Sequence, residues 1–406
     1  MSHSSKQALL ENWLLRVAEV SLMTATISYV FSRALLLVSI YIAIASWLLY
    51  RMIQKKRLIP STPLNVYLYV IVVSLIISIA FGGNWHEGMR GMNKWLRGLL
   101  VFWLGFDLLR NGKIERQVVF AFWISFMIAS FDGIFQYFSG KDLIRDYPVG
   151  YVNNMIPRIT SSFGYFGMFA SFLIMVMPIA IAWALQRKAR IQAIFWFLFV
   201  FLIGLLNLYW TRSRGAWLSF VGMIFLLLIL TRRWKYIAAL SLLVGVSFLI
   251  MPKHILFHHQ KAGGFDKTIN QRVELWHQAI NIIRAHPIIG CGLNTYVQNI
   301  QKYNPGVNGE VSNYYAHNGY LQHTAETGMV GLFALLALLF RYYQLVFSKF
   351  KDFRKLISGQ MIILSVSGFL FYVFFDTIFH NLQPFLLFWL LFGWSVSNLD
   401  RMKNYS

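Results

Sequence analysis

Apolar runs of about 20 residues alternate with short polar links along most of the chain. A run of this length crosses the hydrocarbon core of a bilayer as an α-helix, because a helix rises about 1.5 Å per residue. The pattern predicts an all-α polytopic integral membrane protein with about 12 transmembrane helices. The predicted spans cover residues 9–30, 34–50, 64–82, 96–109, 117–138, 164–185, 191–210, 214–231, 235–251, 318–340, 358–377 and 381–398.

One long polar stretch, residues 252–316, interrupts this alternation. Part of it shows apolar residues at helical spacing, namely Val273, Trp276, Ile280 and Ile283. This spacing predicts a helix over about 270–284, which Pro287 follows, and a second short helix is predicted over 293–303. The chain is therefore interpreted as one transmembrane domain, residues 1–406, with a partly helical loop inserted between the ninth and tenth helices.

Composition agrees with a membrane protein, since 57% of the residues are hydrophobic and only 13% are charged. The formal net charge of +22 could suggest nucleic acid, but most Lys and Arg lie in loops between alternate spans, near residues 51–57, 110–116, 187–190 and 232–235. The positive-inside rule explains them without a nucleic-acid partner and makes this side cytoplasmic. Both termini are then expected inside, and the long polar loop outside.

Five segments face outwards in this topology, and they hold most of the residues that could carry chemistry. The convergence of these segments on one cavity is expected, since all of them lie at the same end of the helix bundle. They are residues 81–96, 139–163, 210–215, 252–316 and 375–384.

Two arginines, Arg212 and Arg214, stand between two apolar runs with few other polar residues. A guanidinium at a membrane boundary is costly unless it reaches the interface or is paired. Two together offer fork geometry for phosphate oxygens. The alternative is a pair of headgroup anchors for a helix hairpin, but their place on the outer face, against the charge bias, favours anion binding. Arg272, which opens the loop helix, and Arg158, ahead of the sixth span, are similar candidates.

His317 begins a predicted span directly after the polar loop, so its imidazole is expected between water and the helix bundle. Histidine there can act as a general base near neutral pH. The alternative is an interfacial or helix-capping histidine. Asn318 follows it, and Asp376 in the last outer segment could face it, where a carboxylate would orient the imidazole or balance the arginines.

A metal site is not predicted, and neither is a cofactor. His254, His258 and His259 share one loop, but adjacent histidines without a cysteine partner are poor ligand spacing. Cys291 is the sole cysteine, so the chain offers neither a disulfide framework nor a thiolate cluster.

Three motifs together resemble the O-antigen ligase and polymerase superfamily, and the likeness covers roughly residues 155–395. The first is the link TRSRGAW over 211–217. The second is RVELW over 272–276, leading to PIIGCG over 287–292. The third is AHNGYLQ over 316–322, followed by ETG over 326–328.

The resemblance implies a GT-C-like glycosyltransferase of the Gram-negative inner membrane, with its active site facing the periplasm. The implied donor is a glycan on undecaprenyl pyrophosphate, and in a ligase the acceptor is a lipid A-core sugar. His317 matches the family's essential histidine, Arg214 and Arg272 match its essential arginines, and Arg158 and Asp376 match more loosely. Such transfer needs a polarised acceptor hydroxyl and a stabilised diphosphate, which a histidine and arginines can supply without metal; direct displacement inverts the anomeric centre.

Two other functions stay open at this point. A polymerase of the same superfamily would use another lipid-linked repeat unit as acceptor, although one dominant outer loop favours the ligase pattern. A transporter or flippase would also have many spans and outward arginines, but it is expected to show internal repeats and interrupted helices, and the sequence shows no repeat. Asp107, Asp132 and Glu326 are the residues that a transporter would use.

Overall fold

The computed structural model describes residues 3–152, 156–233, 235, 267–303, 315–349 and 357–401. Helices account for most of them. In chain order these are α1 (His3–Phe31), α2 (Arg33–Ile53), α3 (Asn65–Phe81), α4 (Trp85–Leu108), α5 (Gly112–Ser139), α6 (Phe166–Leu185), α7 (Arg190–Trp210), α8 (Arg214–Leu230), α9 (Lys267–Ala285), α10 (Tyr296–Tyr303), α11 (Gly319–Ser348), α12 (Ile357–Val373) and α13 (Leu382–Arg401).

The predicted spans coincide with these helices, except for span 235–251, which lies outside the described residues. Among the described residues, seven helices are long and apolar enough to cross a membrane, namely α1, α2, α5, α6, α7, α11 and α13. The helices α3, α8 and α12 are apolar but shorter. An all-α membrane fold is therefore confirmed, and the count of twelve spans stays a prediction.

A small antiparallel ribbon departs from the all-α expectation. Its strands β1 (Gly150–Val152) and β2 (Ile156–Arg158) pair so that Gly150 lies opposite Arg158. The side chain of Gln136 on α5 holds the chain that follows the ribbon, since its Oε1 accepts from the backbone N–H groups of Thr160 and Ser161, each at 2.8 Å. The ribbon therefore delivers Arg158 to a fixed place beside the bundle.

The centre of the bundle is formed by α6 and α13. Every residue of α13 from Leu382 to Leu399 is buried, and α6 is buried along most of its length. Helix α4 packs along α13 through aromatic rings: the ring of Trp95 lies 5.4 Å from that of Phe385 and 5.9 Å from that of Trp389. Such edge-to-face pairs add to the area that the rings bury. The register of α4 against α13 is thus fixed near one end of both helices.

Helix α11 is broken at Gly328, whose φ of 66° and ψ of −169° are not helical. The chain that follows α9 crosses this break and supplies backbone partners on both sides. Met329 N donates to Pro287 O at 2.8 Å, and Cys291 N donates to Ala325 O at 2.9 Å. The predicted span 318–340 is therefore a short helix followed, after the break, by a long one, and the PIIGCG and ETG motifs meet at the joint between them.

This joint is packed backbone against backbone. A Cβ added to Gly290, whose φ is 75°, would lie 2.3 Å from the carbonyl carbon and oxygen of Glu326. The same Glu326 carbonyl accepts a hydrogen bond from Ser78 Oγ of α3 at 2.7 Å. Glycine is required at such a position because it alone adopts positive φ without steric cost and adds no side chain.

The predicted loop helix over 270–284 is confirmed as α9. Leu275, Ala279 and Ile282 are buried, in contact with α11, whereas Val273 is 43% exposed. The second predicted helix is confirmed in its C-terminal part, as α10, while 252–266 and 304–314 lie outside the described residues.

Candidate functional site

The imidazole of His317 contacts the carboxylate of Asp376, with His317 Nδ1 at 3.1 Å from Asp376 Oδ1. The His317 side chain is 29% exposed, whereas that of Asp376 is 8% exposed. The backbone of His317 is left-handed, with φ of 46°, which a residue other than glycine adopts only where its surroundings enforce it. Asn318 is the N-cap of α11, since its Oδ1 accepts from the N–H groups of Tyr320 and Leu321, so the helix start fixes the direction of the neighbouring imidazole.

The Asp376 carboxylate is held on several sides. Its Oδ2 accepts from the hydroxyl of Tyr165 at 3.0 Å, and Thr377 N donates to Oδ1 at 2.8 Å. Burial alone would raise the pKa of this carboxyl, but the contact with His317, the Tyr165 hydroxyl and the charge of Arg272 outweigh burial and hold the pKa below its usual value. Asp376 is therefore ionised at neutral pH and can hold the proton of Nδ1, which leaves Nε2 to accept a proton.

Arg158 supports the turn between α7 and α8 rather than standing free. Its Nε donates to Thr211 O at 3.0 Å and its Nη2 to Arg212 O at 3.3 Å. Its guanidinium carbon also lies 3.3 Å from the ring centroid of Phe166. Burial, together with the nearby charge of Arg272, lowers the pKa of Arg158 from its ordinary value, although a guanidinium stays protonated in proteins. Sequence reasoning gave this residue a direct role in anion binding, and the structure adds a role in holding the turn.

The other candidate arginines differ in their placement. Arg214 is the first residue of α8 and is exposed, and Gly215 beside it packs against Phe375, next to Asp376. Arg212 has a left-handed backbone and stacks its guanidinium on Tyr209 at 4.3 Å, so it faces back along α7. Arg272 on α9 is partly buried, and its charge acts on both Asp376 and Arg158.

Two arginines act on the Asp376 carboxylate. Among the described residues, Arg158 and Arg272 both interact electrostatically with it. Guanidinium groups next to a partly exposed imidazole favour an anionic ligand, and phosphate oxygens match their fork geometry. The site can therefore combine anion binding with proton transfer at His317 Nε2.

Several groups of this site carried no signal in the sequence. Tyr165 and Tyr372 stand in apolar runs and look like ordinary aromatic residues of spanning helices, yet the Tyr372 hydroxyl lies 3.5 Å from Asp376 Oδ2 and 3.3 Å from Ser213 Oγ. Lys94 looks like an interfacial anchor, yet its ammonium bonds the turn after Asp376. The partners of Lys94 and Tyr165 lie 285 and 211 residues away in sequence, so only the packing of the helices brings them together.

Among the described residues, no group of three His, Cys, Asp or Glu side chains is arranged to hold a metal ion. The loop histidines His254, His258 and His259 lie outside those residues. Cys291 is buried, and burial raises the pKa of its thiol to about 12, so it is a packing residue of the joint near α11.

Apolar helices of spanning length, with a polar site at one end of the bundle, define a multi-pass membrane protein. A sequence profile of the family described as O-antigen ligase matches residues 197–336, about a third of the chain. This match supports membership of the chain in the O-antigen ligase superfamily, as the motifs predicted, and members of this family are glycosyltransferase-like enzymes that act on lipid-linked glycans. Arg214, Arg272 and His317 lie within the matched segment, whereas Arg158 and Asp376 lie outside it. The curated proteins contain no match to this chain.

Proposed function

We propose that the chain is an O-antigen ligase, which transfers a glycan from undecaprenyl pyrophosphate to a sugar of the lipid A core. The observation that carries this proposal is the His317–Asp376 pair, set among guanidinium groups beside the start of α8. The family match supports the reaction class, since its members act on lipid-linked glycans. Lipid-linked diphosphate is an anion of the kind that the arginines suit.

In the proposed reaction, the acceptor hydroxyl oxygen attacks the anomeric carbon of the donor sugar. Its proton passes to His317 Nε2, while Asp376 holds Nδ1 and stabilises the imidazolium that forms. The bond between the anomeric carbon and the phosphate oxygen breaks, and undecaprenyl pyrophosphate leaves with the electron pair. Attack opposite to the leaving group inverts the anomeric centre. A metal ion is not required by this scheme, because fixed positive charge can stabilise the leaving group.

Arg214 and Arg272 are the proposed ligands of the diphosphate. Arg214 is exposed at the first residue of α8, where the helix N-terminus also favours negative charge. Arg272 projects its charge onto Asp376 from α9, so a diphosphate between the two arginines would lie near His317. Arg158 acts mainly by holding the turn that presents Arg214, and Arg212 acts through the same turn.

We propose that this site faces the periplasm of a Gram-negative cell and that both termini are cytoplasmic. At the opposite end of the bundle, the helix ends beside the basic loops carry ion pairs between Arg51 and Asp107, at 2.5 Å, and between Arg401 and Glu115, at 2.8 Å. That charge distribution is the one expected for the cytoplasmic side. The site and these ion pairs thus occupy opposite ends of helices such as α4 and α13.

A transporter is the weaker alternative: α11 is interrupted at Gly328, as a transporter helix would be, but the candidate acids are engaged in structural contacts. Asp107 accepts from Arg51 and from Trp47 Nε1, the latter at 2.8 Å, and Asp132 accepts from Ser161 Oγ at 2.6 Å and from Leu143 N at 2.8 Å. A polymerase of the same superfamily would use the same catalytic groups. The two enzymes differ in the acceptor, so an experiment has to separate them.

The deciding experiment is a deletion strain analysed by lipopolysaccharide gels. Loss of the whole O-antigen ladder, with accumulation of the lipid-linked donor, is expected for a ligase. A band of core plus a single repeat unit would instead indicate a polymerase, and an unchanged ladder would contradict both functions. The proposed reaction is then tested with purified protein, lipid-linked donor and lipid A-core acceptor in detergent, with a chelator added to test the metal-free scheme.

A further inference from the structure

The ammonium of Lys94, on α4, is bonded to a turn that is 285 residues further along the chain. Its Nζ donates to Phe379 O at 2.9 Å and to His380 O at 3.2 Å, and it lies 5.0 Å from the ring centroid of Phe385. The turn is the 3-10 helix Ile378–His380, which is separated from Asp376 only by its N-cap, Thr377. One side chain of α4 therefore fastens the segment that carries the acid of the candidate site.

This turn is connected to both members of the His317–Asp376 pair. Towards Asp376, His380 N donates to Thr377 O at 2.9 Å and Thr377 N donates to Asp376 Oδ1 at 2.8 Å. Towards His317, the hydroxyl of Tyr315 lies 2.7 Å from His380 Nε2, two residues ahead of the imidazole. A displacement of the turn would therefore move the carboxylate and the chain leading to the imidazole together.

The surroundings of Lys94 make its two hydrogen bonds to backbone carbonyls energetically important. It lines a cavity of about 50 Å³ whose polar lining residues also include Gln322, Glu326, Thr377 and His380. The carboxylate of Glu326 interacts electrostatically with the ammonium and accepts from Asn294 N at 3.0 Å. An ammonium in such a place is costly unless acceptors surround it, and backbone carbonyls left without a donor there are costly as well. Lys94 and the turn thus hold each other in place.

Glu326 connects Lys94 to the joint where the PIIGCG and ETG motifs meet. Its carbonyl receives Ser78 Oγ, and its carboxylate receives the N–H of Asn294, which belongs to the chain just after the PIIGCG run. The ammonium therefore sits between the joint at Gly328 on one side and the turn after Asp376 on the other. Neither the proposed acid–base step nor the proposed diphosphate contacts use Lys94.

We propose that Lys94 is a positioning residue, whose bonds to the carbonyls of Phe379 and His380 set the distance between Asp376 and His317. This inference rests on the proposed function for its kinetic effect, but the positioning itself can be measured without any activity. A misplacement of about 1 Å at a catalytic group can slow a reaction by about a hundredfold.

The test compares Lys94→Met, which keeps the length of the side chain without its donors, with Arg97→Met as the matched control on the same helix. Arg97 bonds its own helix at Asn93 O and the exposed Tyr41 hydroxyl, so its loss should leave kcat unchanged. Lys94→Met is expected to lower kcat by about 10- to 100-fold with KM for both substrates within about threefold. Lys94→Arg, which keeps the charge and donors, should retain more activity than Lys94→Met.

A second comparison separates positioning from a general loss of stability. In an Asp376→Asn background, Lys94→Met should slow transfer by less than about threefold more, because both changes act on the same pair. If the two effects multiplied in full, or if KM alone changed, Lys94 would not be positioning this pair. If Lys94→Met folds poorly, it is combined with Glu326→Gln, which removes the carboxylate that has lost the Lys94 ammonium. This double variant should fold and should still transfer glycan slowly. Near-normal turnover of the double variant would overturn the proposal.

Hydrogen exchange supplies the readout that needs no activity. In Lys94→Met, peptides covering residues 374–381 should exchange faster than in the native protein, while peptides of α1 and α2 should exchange at the native rate. Unchanged exchange at 374–381 would overturn the inference about Lys94. Absence of glycan transfer by the native protein would instead overturn the proposed function and leave the exchange result standing.

Discussion

Arg158 Nε donates to the backbone oxygen of Thr211 at 3.0 Å, so an arginine from the small ribbon supports the turn that begins α8. Arg214 stands at the start of that helix, three residues after Thr211. Arg214, a proposed ligand of the diphosphate, is thus held in place by another arginine. A substitution of Arg158 would act on the proposed diphosphate contacts indirectly, through the position of Arg214.

The first prediction concerns the acid–base pair. His317→Ala should insert and still bind donor, yet transfer glycan at least about a hundredfold more slowly, because a general base contributes about 10² to 10⁴ in rate. Asp376→Asn should also lower kcat, since an amide cannot hold the Nδ1 proton in the same way. Turnover is measured with purified protein in detergent. His323→Ala is the control, with a much smaller effect expected; the opposite order of the two histidines would mean that the base is misassigned.

The second prediction concerns the proposed diphosphate ligands. Arg214→Lys and Arg272→Lys should not restore full activity, because an ammonium is a point donor and lacks the planar fork of a guanidinium. A charged hydrogen bond of about 1.5 to 3 kcal/mol corresponds to a loss of roughly 10- to 100-fold in kcat/KM. Arg284→Lys, at the exposed end of the same helix as Arg272, is the matched control. Wild-type rates in both site variants would contradict recognition by guanidinium groups.

The sequence was sufficient to predict where the helices lie, but it was not sufficient to identify several residues of the candidate site. A long apolar run has few structures open to it other than a spanning helix, so α1 to α8 were predictable. In the membrane, however, the face against lipid and the face against protein are both apolar, so no periodicity shows which way Tyr165 or Tyr372 points. Lys94 was equally hidden, since its acceptors are backbone carbonyls, which leave no trace in the residue types.

The third prediction concerns orientation. At about residue 264, a fused reporter that works only in the periplasm should be active. At the C-terminus, a fused reporter that works only in the cytoplasm should be active. The basic loops at the end of the bundle that carries Arg51 and Arg401 are the reason. Activity of a cytoplasmic reporter at residue 264 would invert the proposed topology and place the His317 site on the cytoplasmic side.

The fourth prediction concerns stability at acidic pH. Burial, followed by the charge of Lys94, lowers the pKa of His380 to about 4, against about 6.5 in an unfolded chain. Between these values the unfolded chain binds a proton at His380 that the folded protein does not bind. The contribution of His380 to the free energy of unfolding is therefore fully present above about pH 6.5 and is lost as the pH drops towards 4. The melting temperature in detergent should decrease over this range, and His380→Gln should decrease less steeply. An identical slope in both proteins would show that His380 does not titrate on unfolding.

The last prediction concerns the backbone joint that links the PIIGCG and ETG motifs. Gly290→Ala should lower the melting temperature, because its φ of 75° costs a residue with a Cβ about 1 to 2 kcal/mol and the new carbon would also lie 2.3 Å from the Glu326 carbonyl. Gly328→Ala should act in the same way, since its Cβ would lie 2.1 Å from Ile288 O. Gly112→Ala is the control, with no atom within 4 Å of the added carbon and no loss expected. Because Glu326 interacts with Lys94, both joint variants should also slow transfer in the folded fraction, and Gly112→Ala should not. An unchanged melting temperature of Gly290→Ala would mean that the PIIGCG and ETG segments can move apart, and that the PIIGCG segment does not hold the break in α11.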